Sequence, residues 1–398
     1  MVRQSLKENL ILNFRIMDKF LDGKVSIYLD LIRGLAAILV VMEHLSPLLF
    51  SYSNESSIIQ VLFMVNLLGG ASVRIFFVLS GLFISRSIIR SFLDGKWSWA
   101  SYLINRFSRL YVVLLPALLL TFTLDGLSSN LFNSHLNPTN QSIFTFFGNL
   151  LFLQEIILPT FGSNHPLWSL SIEFWFYLIY PLLLLAAMRS TKLIVRVLSF
   201  ILGLCIFGFL GLKISFYFII WFLGSVILFM PAFSLRKKWS ALIPSFFFFI
   251  ISTFLRPLAN TDKLGEGKII LHAVDISIAV SFVLFIYVLI NTNSNKITSN
   301  KPMYYNIIDK ISKTLAGFSF SLYLIHQPIL MFLNGLGRYF GFVRMNPSVI
   351  TFSIEIILVM LMCLLAYYFS LVTERKTTLL RNFLVYRINH QIKSKQAA

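Results

Sequence analysis

The chain has 398 residues, 57% of them hydrophobic and 13% charged, with 41 phenylalanines. Ordinary globular chains carry about 25% charged residues, and one soluble core of this length cannot hide so much apolar surface, so most of it must face lipid. That excludes a soluble enzyme, a disordered chain and a secreted disulfide scaffold; the net charge of +18 raises a nucleic-acid reading that the positions of the basic residues answer.

A span takes about 20 apolar residues. In chain order the sequence predicts spans over 27–50, 73–92, 110–126, 166–188, 194–212, 215–233, 240–257, 269–291, 315–335 and 349–373. The expected fold is all-α, a polytopic membrane protein of about ten transmembrane helices. The apolar stretch 143–159 must return to the side it left and reads as a re-entrant or interfacial helix. The organisation expected is a cytoplasmic segment 1–26, one transmembrane domain 27–373 and a basic tail 374–398, with no internal repeat.

Charge sets the orientation. Both ends fall on one side, which receives 26 of the 34 Lys and Arg; six fall on the other, and Arg33 and Arg74 lie within spans. Basic loops face the cytoplasm, so both termini are expected inside, and the basic excess is a topology signal with no nucleic-acid partner. Residues 1–26 precede the first span, and Ser46-Pro47-Leu48 offers no small-x-small cleavage site, so that span is not a removable signal. Cys205 and Cys363 sit in apolar runs. They read as small buried hydrophobes rather than disulfide partners, and no metal site is expected.

Ionisable side chains within spans are costly and mark functional candidates. Arg33 and His44 are eleven residues apart in the first span, about 16 Å along a helix and within about 20° of one face. Both can line one groove, Arg33 towards the cytoplasm and His44 towards the outside; the bland alternatives are a snorkelling arginine and a satisfied interhelical histidine. Glu43 lies about 100° away from that face. The fourth span reads His165-Pro-Leu-Trp168-Ser-Leu-Ser-Ile-Glu173-Phe-Trp-Phe-Tyr177. Its Glu173 lies at a depth matching that of His44, about 10 Å below the outer surface. A carboxylate there either holds the imidazole's tautomer or bonds Arg33, Arg74 or a tyrosine. Trp168 and Tyr177 are candidates to line the acceptor, whereas His165 is a loop residue.

Arg106 and Arg109, three apart at the inner mouth of span three, share a helix face and suit phosphates; positive-inside anchoring explains them equally well. Phe76-Phe77-Val-Leu-Ser80-Gly81 allows close backbone approach. In Ser319-Phe-Ser321-Leu-Tyr323-Leu-Ile-His326-Gln327-Pro328, Tyr323 and His326 share a face. Ser80, Tyr323 and His326 are either packing residues or substrate-lining ones.

These motifs occur in one order: Arg33-x10-His44, Phe76-Phe77-x-x-Ser80-Gly81, Arg106-x-x-Arg109, Leu167-Trp168-Ser169-Leu170-Ser171-x-Glu173 and Ser321-Leu-Tyr323-Leu-Ile-His326-x-Pro328. Together they resemble the acyltransferase 3 family of integral membrane O-acyltransferases. The resemblance implies transfer of an acyl group, usually acetyl from cytoplasmic acetyl-CoA, to a hydroxyl of a saccharide or glycan acceptor in the bacterial cytoplasmic membrane. It places the family's arginine and histidine at Arg33 and His44 and its paired arginines at Arg106 and Arg109. Leu82-Phe83 reverses the aromatic-then-aliphatic order of many members, and with about 25 residues after the last span the SGNH-type domain that many carry is not expected here.

The two readings join in one expectation. Arg106 and Arg109 hold the phosphates of acyl-CoA, a donor substrate rather than a resident cofactor, and Arg33 steers the pyrophosphate or pantetheine. His44, oriented by Glu173, acts as general base on the acceptor hydroxyl; an acyl-histidine intermediate is the variant. The oxyanion donor is Ser80, Tyr323 or His326. The competing class is a transporter or flippase of a glycan or lipid-linked intermediate, and a homo-oligomer is left open.

Overall fold

Lipid offers no partner for a peptide N–H or C=O, so a chain this apolar must satisfy its backbone inside helices or a closed barrel. A computed structural model of the protein describes residues 2–51, 64–132, 138–233, 239–259, 267–292 and 303–397. Among these the regular structure is helical. The elements are α1 (Val2–Phe20), α2 (Lys24–Leu49), α3 (Leu68–Leu93), α4 (Trp99–Phe132), α5 (Ile143–Leu150), α6 (Leu167–Ala187), α7 (Leu193–Val226), α8 (Trp239–Ala259), α9 (Gly267–Thr292), α10 (Met303–Ala316), α11 (Ser319–Tyr339), α12 (Val349–Val372) and α13 (Thr377–Ala397). The basic residues at 236–238, 263, 296 and 301, used above for orientation, lie outside the described residues.

The protein is a multi-pass, all-α membrane protein. Eight stretches among the described residues are long and apolar enough to cross a bilayer, or nine when the broken pair Tyr305–Ala316 and Ser319–Tyr339 counts as one. The difference from ten has a local cause in α7, which takes in 194–212 and the first part of 215–233. Its 34 residues would run about 51 Å if straight, against about 30 Å of hydrocarbon. Gly211, at φ 72° and ψ 171°, interrupts the helical path between the two halves; without a Cβ it takes a positive φ at little cost. The apolar faces look outward, as lipid-facing surfaces should: Leu212 is 92% exposed. Cys205, expected to be buried, is instead exposed on α7, and Cys363 is half-buried on α12; both are free thiols.

The chain forms two units. The first comprises Met1–Glu43, Asn54–Ile89 and Leu210–Ala316, the second His44–Ser53, Arg90–Phe209 and Gly317–Ala398.

In the first unit α3 meets the second half of α7 backbone to backbone. A Cβ on Gly81 would strike the Trp221 carbonyl oxygen, and one on Gly224 the Val78 carbonyl oxygen, so two glycines set the approach. Nearby, Trp221 Nε1 donates to Ser80 Oγ at 3.2 Å. The helices α8 and α9 pack along their length. A buried ionic group ties α9 to α3 and α8: Arg74 Nη2 lies 2.6 Å from Asp275 Oδ2, and Arg256 Nε lies 3.2 Å from Asp275 Oδ1. Glu43 is close enough to feel both guanidinium charges. Two cations facing two carboxylates satisfy the rule that charge inside a membrane is paired.

In the second unit α11 packs on α4 and beside α12, and α13 lies against α4. The stretch 143–159 is helical only as the short α5. It then turns through Phe152 (φ 56°) and Glu155 (φ 63°), left-handed conformations that non-glycine residues rarely adopt. The turn is over-determined. Ser171 Oγ and Trp175 Nε1 both donate to the Phe152 carbonyl, at 2.7 and 2.9 Å. Gln154 Nε2 donates to the Leu167 carbonyl at 2.9 Å.

Candidate functional site

Two histidines meet in the second unit. His44, on α2, presents Nδ1 to Nε2 of His326 on α11 at 3.3 Å, with ring centroids 5.1 Å apart. His326 is fully buried. Its Nδ1 faces two backbone carbonyls of its own helix, Tyr323 at 2.8 Å and Leu322 at 3.2 Å. Beside it, the Tyr323 hydroxyl and Ser169 Oγ are 2.6 Å apart, which draws the Trp-Ser-Leu-Ser segment of α6 to α11. Trp168, next in sequence, is half-buried.

The position of α11 is set at both ends of this motif. The Ser321 N–H and hydroxyl both donate to Glu374 Oε2 at 3.1 Å, a carboxylate at the helix N-terminus. Further on, Pro328 has no N–H to offer the Leu324 carbonyl. Asn164 Nδ2 donates to that carbonyl instead, at 2.9 Å, and also to Thr121 Oγ1 at 3.1 Å. The loop carrying Asn164 is held in turn by Asp125 on α4, which accepts from the Ser163 hydroxyl at 2.6 Å and the Ser163 N–H at 2.8 Å.

A second cluster joins α4 to α6. Pro181 leaves the Tyr177 carbonyl without its helical donor, and the Tyr102 hydroxyl supplies one at 2.9 Å. The Tyr177 hydroxyl donates to Glu173 Oε1, one helical turn away. The Arg106 guanidinium lies 5.4 Å from the Tyr102 ring centre and 5.9 Å from that of Tyr177, within cation–π range. Arg106 and Arg109 are both near enough for their charges to act at the Tyr177 hydroxyl. Arg109 is exposed and Arg106 half-buried. The Arg106 Nε is buried without a hydrogen-bond partner among the described residues. An aromatic platform thus holds one guanidinium in place beside a second that is accessible, an arrangement that fits an anionic group such as a phosphate.

Matched depth suggested that Glu173 faces His44. The structure gives Glu173 a tyrosine, Tyr177, which was the alternative reading, and gives His44 a partner that was not anticipated, His326. The remaining candidates lie in the first unit. Arg33 Nη2 is 3.2 Å from Asp30 Oδ1, one turn back, and 3.5 Å from the Ala316 carbonyl. A Cβ on the adjacent Gly34 would come within 2.5 Å of the Leu315 Cβ, so α2 and α10 run close at this point. Ser80 accepts from Trp221.

A family model described as an acyltransferase domain matches residues 26–372. The chain belongs to the acyltransferase 3 family. It is also 30% identical, over 185 residues, to a protein of Shigella phage Sf6 named O-acetyl transferase; the match takes in 45% of this chain and 52% of that protein. The chain therefore spans about half the length of the curated relative it matches. No solved structure matches.

Several buried polar residues of this acyltransferase domain were missed by the sequence reading. Asp125, Asp275 and Glu355 are each at most 1% exposed, and all three lie in spans. The rule that singled out Arg33 and Glu173, an ionisable group within an apolar run, applies to them equally. Asn164 and Gln154 carried no comparable signal, because a polar loop residue reads as solvated until a neighbouring helix needs its amide.

Proposed function

We propose that the protein is a membrane O-acyltransferase that moves an acetyl or related acyl group from acyl-CoA to a hydroxyl of a saccharide acceptor. The observation that carries this is the acyltransferase match over residues 26–372. The printed activity of the phage relative, O-acetyl transfer, supports acetyl as the group moved. The basic bias of the loops supports placement in the bacterial cytoplasmic membrane with both termini inside.

In this reading His44 is the general base. It takes the proton of the acceptor hydroxyl as the oxygen attacks the thioester carbonyl; the C–S bond breaks, and the coenzyme A thiolate leaves with that proton. The atoms balance as ester plus free thiol. Base assistance of this kind contributes about 10²–10⁴-fold. Arg106 and Arg109 take the donor phosphates, Arg106 held by Tyr102 and Tyr177, and Glu173 keeps the Tyr177 hydroxyl in place. Arg33 is assigned to the donor by its place in the arginine-x10-histidine motif. Trp168, Tyr323 and Ser80 remain acceptor-lining candidates.

The test is purified protein in lipid vesicles with acetyl-labelled acetyl-CoA and a panel of glycans. Labelled ester on a glycan, lost in His44→Ala protein that still inserts, is the expected result. Glycan movement across the vesicle without label would replace this reading with a transporter, and full activity in His44→Ala would remove the base assignment.

A further inference from the structure

We infer that His326 is a positioning residue that fixes the tautomer of His44 and so makes Nε2 the reacting nitrogen. The inference rests on the reading of His44 as the base and adds which atom of it reacts, and through what.

The argument is one of donors and acceptors. A carbonyl oxygen only accepts, so the His326 Nδ1 that faces the carbonyls of Tyr323 and Leu322 at 2.8 and 3.2 Å carries the hydrogen. A neutral imidazole with hydrogen on Nδ1 has its lone pair on Nε2. That Nε2 faces His44 Nδ1 at 3.3 Å, and a hydrogen bond there needs one donor, which His44 Nδ1–H must supply. The lone pair of neutral His44 is then on Nε2, where it can take a proton. When it does, the imidazolium keeps Nδ1–H pointed at a neutral acceptor, and the bond becomes charge-assisted. His326 can perform this without entering the reaction. It is fully buried, and its ring is held from behind by its own helix.

The turn of α11 that carries these carbonyls is tied on either side. Ser321, at the start of α11, is bound by Glu374, and Asn164 takes the Leu324 carbonyl that Pro328 leaves without its helical donor. A rigid acceptor suits this role, since a loose one would let His44 exchange tautomers.

The experiment has two arms. In the first, His326→Ala and His326→Gln are assayed for labelled ester beside His44→Ala. Expected are a fall in kcat of about 10²-fold for His326→Ala, KM values within about twofold of wild type, and recovery of at least tenfold in His326→Gln, whose amide oxygen accepts from Nδ1–H. A wild-type kcat in His326→Ala, or equal loss in the Ala and Gln variants with both folded, overturns the inference. In the second arm the wild-type protein carries ¹⁵N-labelled histidine, and the His44 signals are assigned by their loss in His44→Ala. Hydrogen on Nδ1 and an unprotonated Nε2 support the inference; hydrogen on Nε2 overturns it, whether or not the His326 variants fold. Failure of the base reading looks different, because His44→Ala would then stay active whatever the tautomer.

Discussion

The Tyr102 hydroxyl donates to the Tyr177 carbonyl across 2.9 Å, and that carbonyl is the one Pro181 leaves without its helical N–H. A helix break in α6 is thus repaired by a side chain of α4, and the same tyrosine ring lies under Arg106. Tyr102→Phe keeps the ring but removes the donor, leaving a buried carbonyl unsatisfied at a cost of about 1–3 kcal/mol. The expected outcome is a lower melting temperature in detergent with transfer activity retained; an unchanged melting temperature would show that the carbonyl does not depend on Tyr102.

Arg106→Ala combined with Arg109→Ala is expected to raise KM for acetyl-CoA at least tenfold, equivalent to about 1.4 kcal/mol, with little change in kcat. Arg106→Lys should not restore it, because an ammonium lacks the planar face that rests between two tyrosine rings. Steady-state kinetics with the donor varied decide this. An unchanged KM would return both arginines to a role in orienting the protein in the membrane.

Asp275 is 1% exposed and accepts from two arginines. Asp275→Ala leaves Arg74 and Arg256 facing each other without it, and breaking a buried pair in this way costs about 3–5 kcal/mol. Loss of monodisperse protein on size-exclusion chromatography is expected. Asp275→Glu should recover part of it, since the charge is kept and only the reach changes.

Gly81→Val is expected to abolish folded protein, because even a Cβ meets the Trp221 carbonyl. Ser80→Ala removes the hydrogen bond to Trp221 Nε1 and should cost only about 0.5–1.5 kcal/mol. If Ser80→Ala instead eliminates transfer while the protein melts normally, Ser80 belongs to the substrate.

Much of the architecture was legible along the chain. Runs of about 20 apolar residues have few structural outcomes in lipid, so the number and order of helices follow from composition. The spans at 194–212 and 215–233 are an example: the backbone leaves the helical path at Gly211, beside the boundary read from the sequence. The stretch 143–159 shows the limit. It is apolar throughout, but its helix stops at Leu150, and Ser171 and Trp175 from another helix take the Phe152 carbonyl.

The candidate site divides in the same way. The residue types were readable, because an arginine, histidine or glutamate is conspicuous against leucine and phenylalanine. Their partners were readable only in part: a tyrosine was one alternative for Glu173, but nothing along the chain named His326 for His44. Depth along a helix is a one-dimensional quantity, and it matched His44 with Glu173, whereas hydrogen bonding depends on the facing angle and reach of side chains from separate helices. His326 beside His44, and Tyr177 between Glu173 and the arginines, are decided by how α11 and α6 are rotated. Sequence alone determined a helical membrane protein with polar groups in its spans, since the hydrophobic effect and backbone hydrogen bonding act locally. Only the tertiary structure decided which of those groups meet.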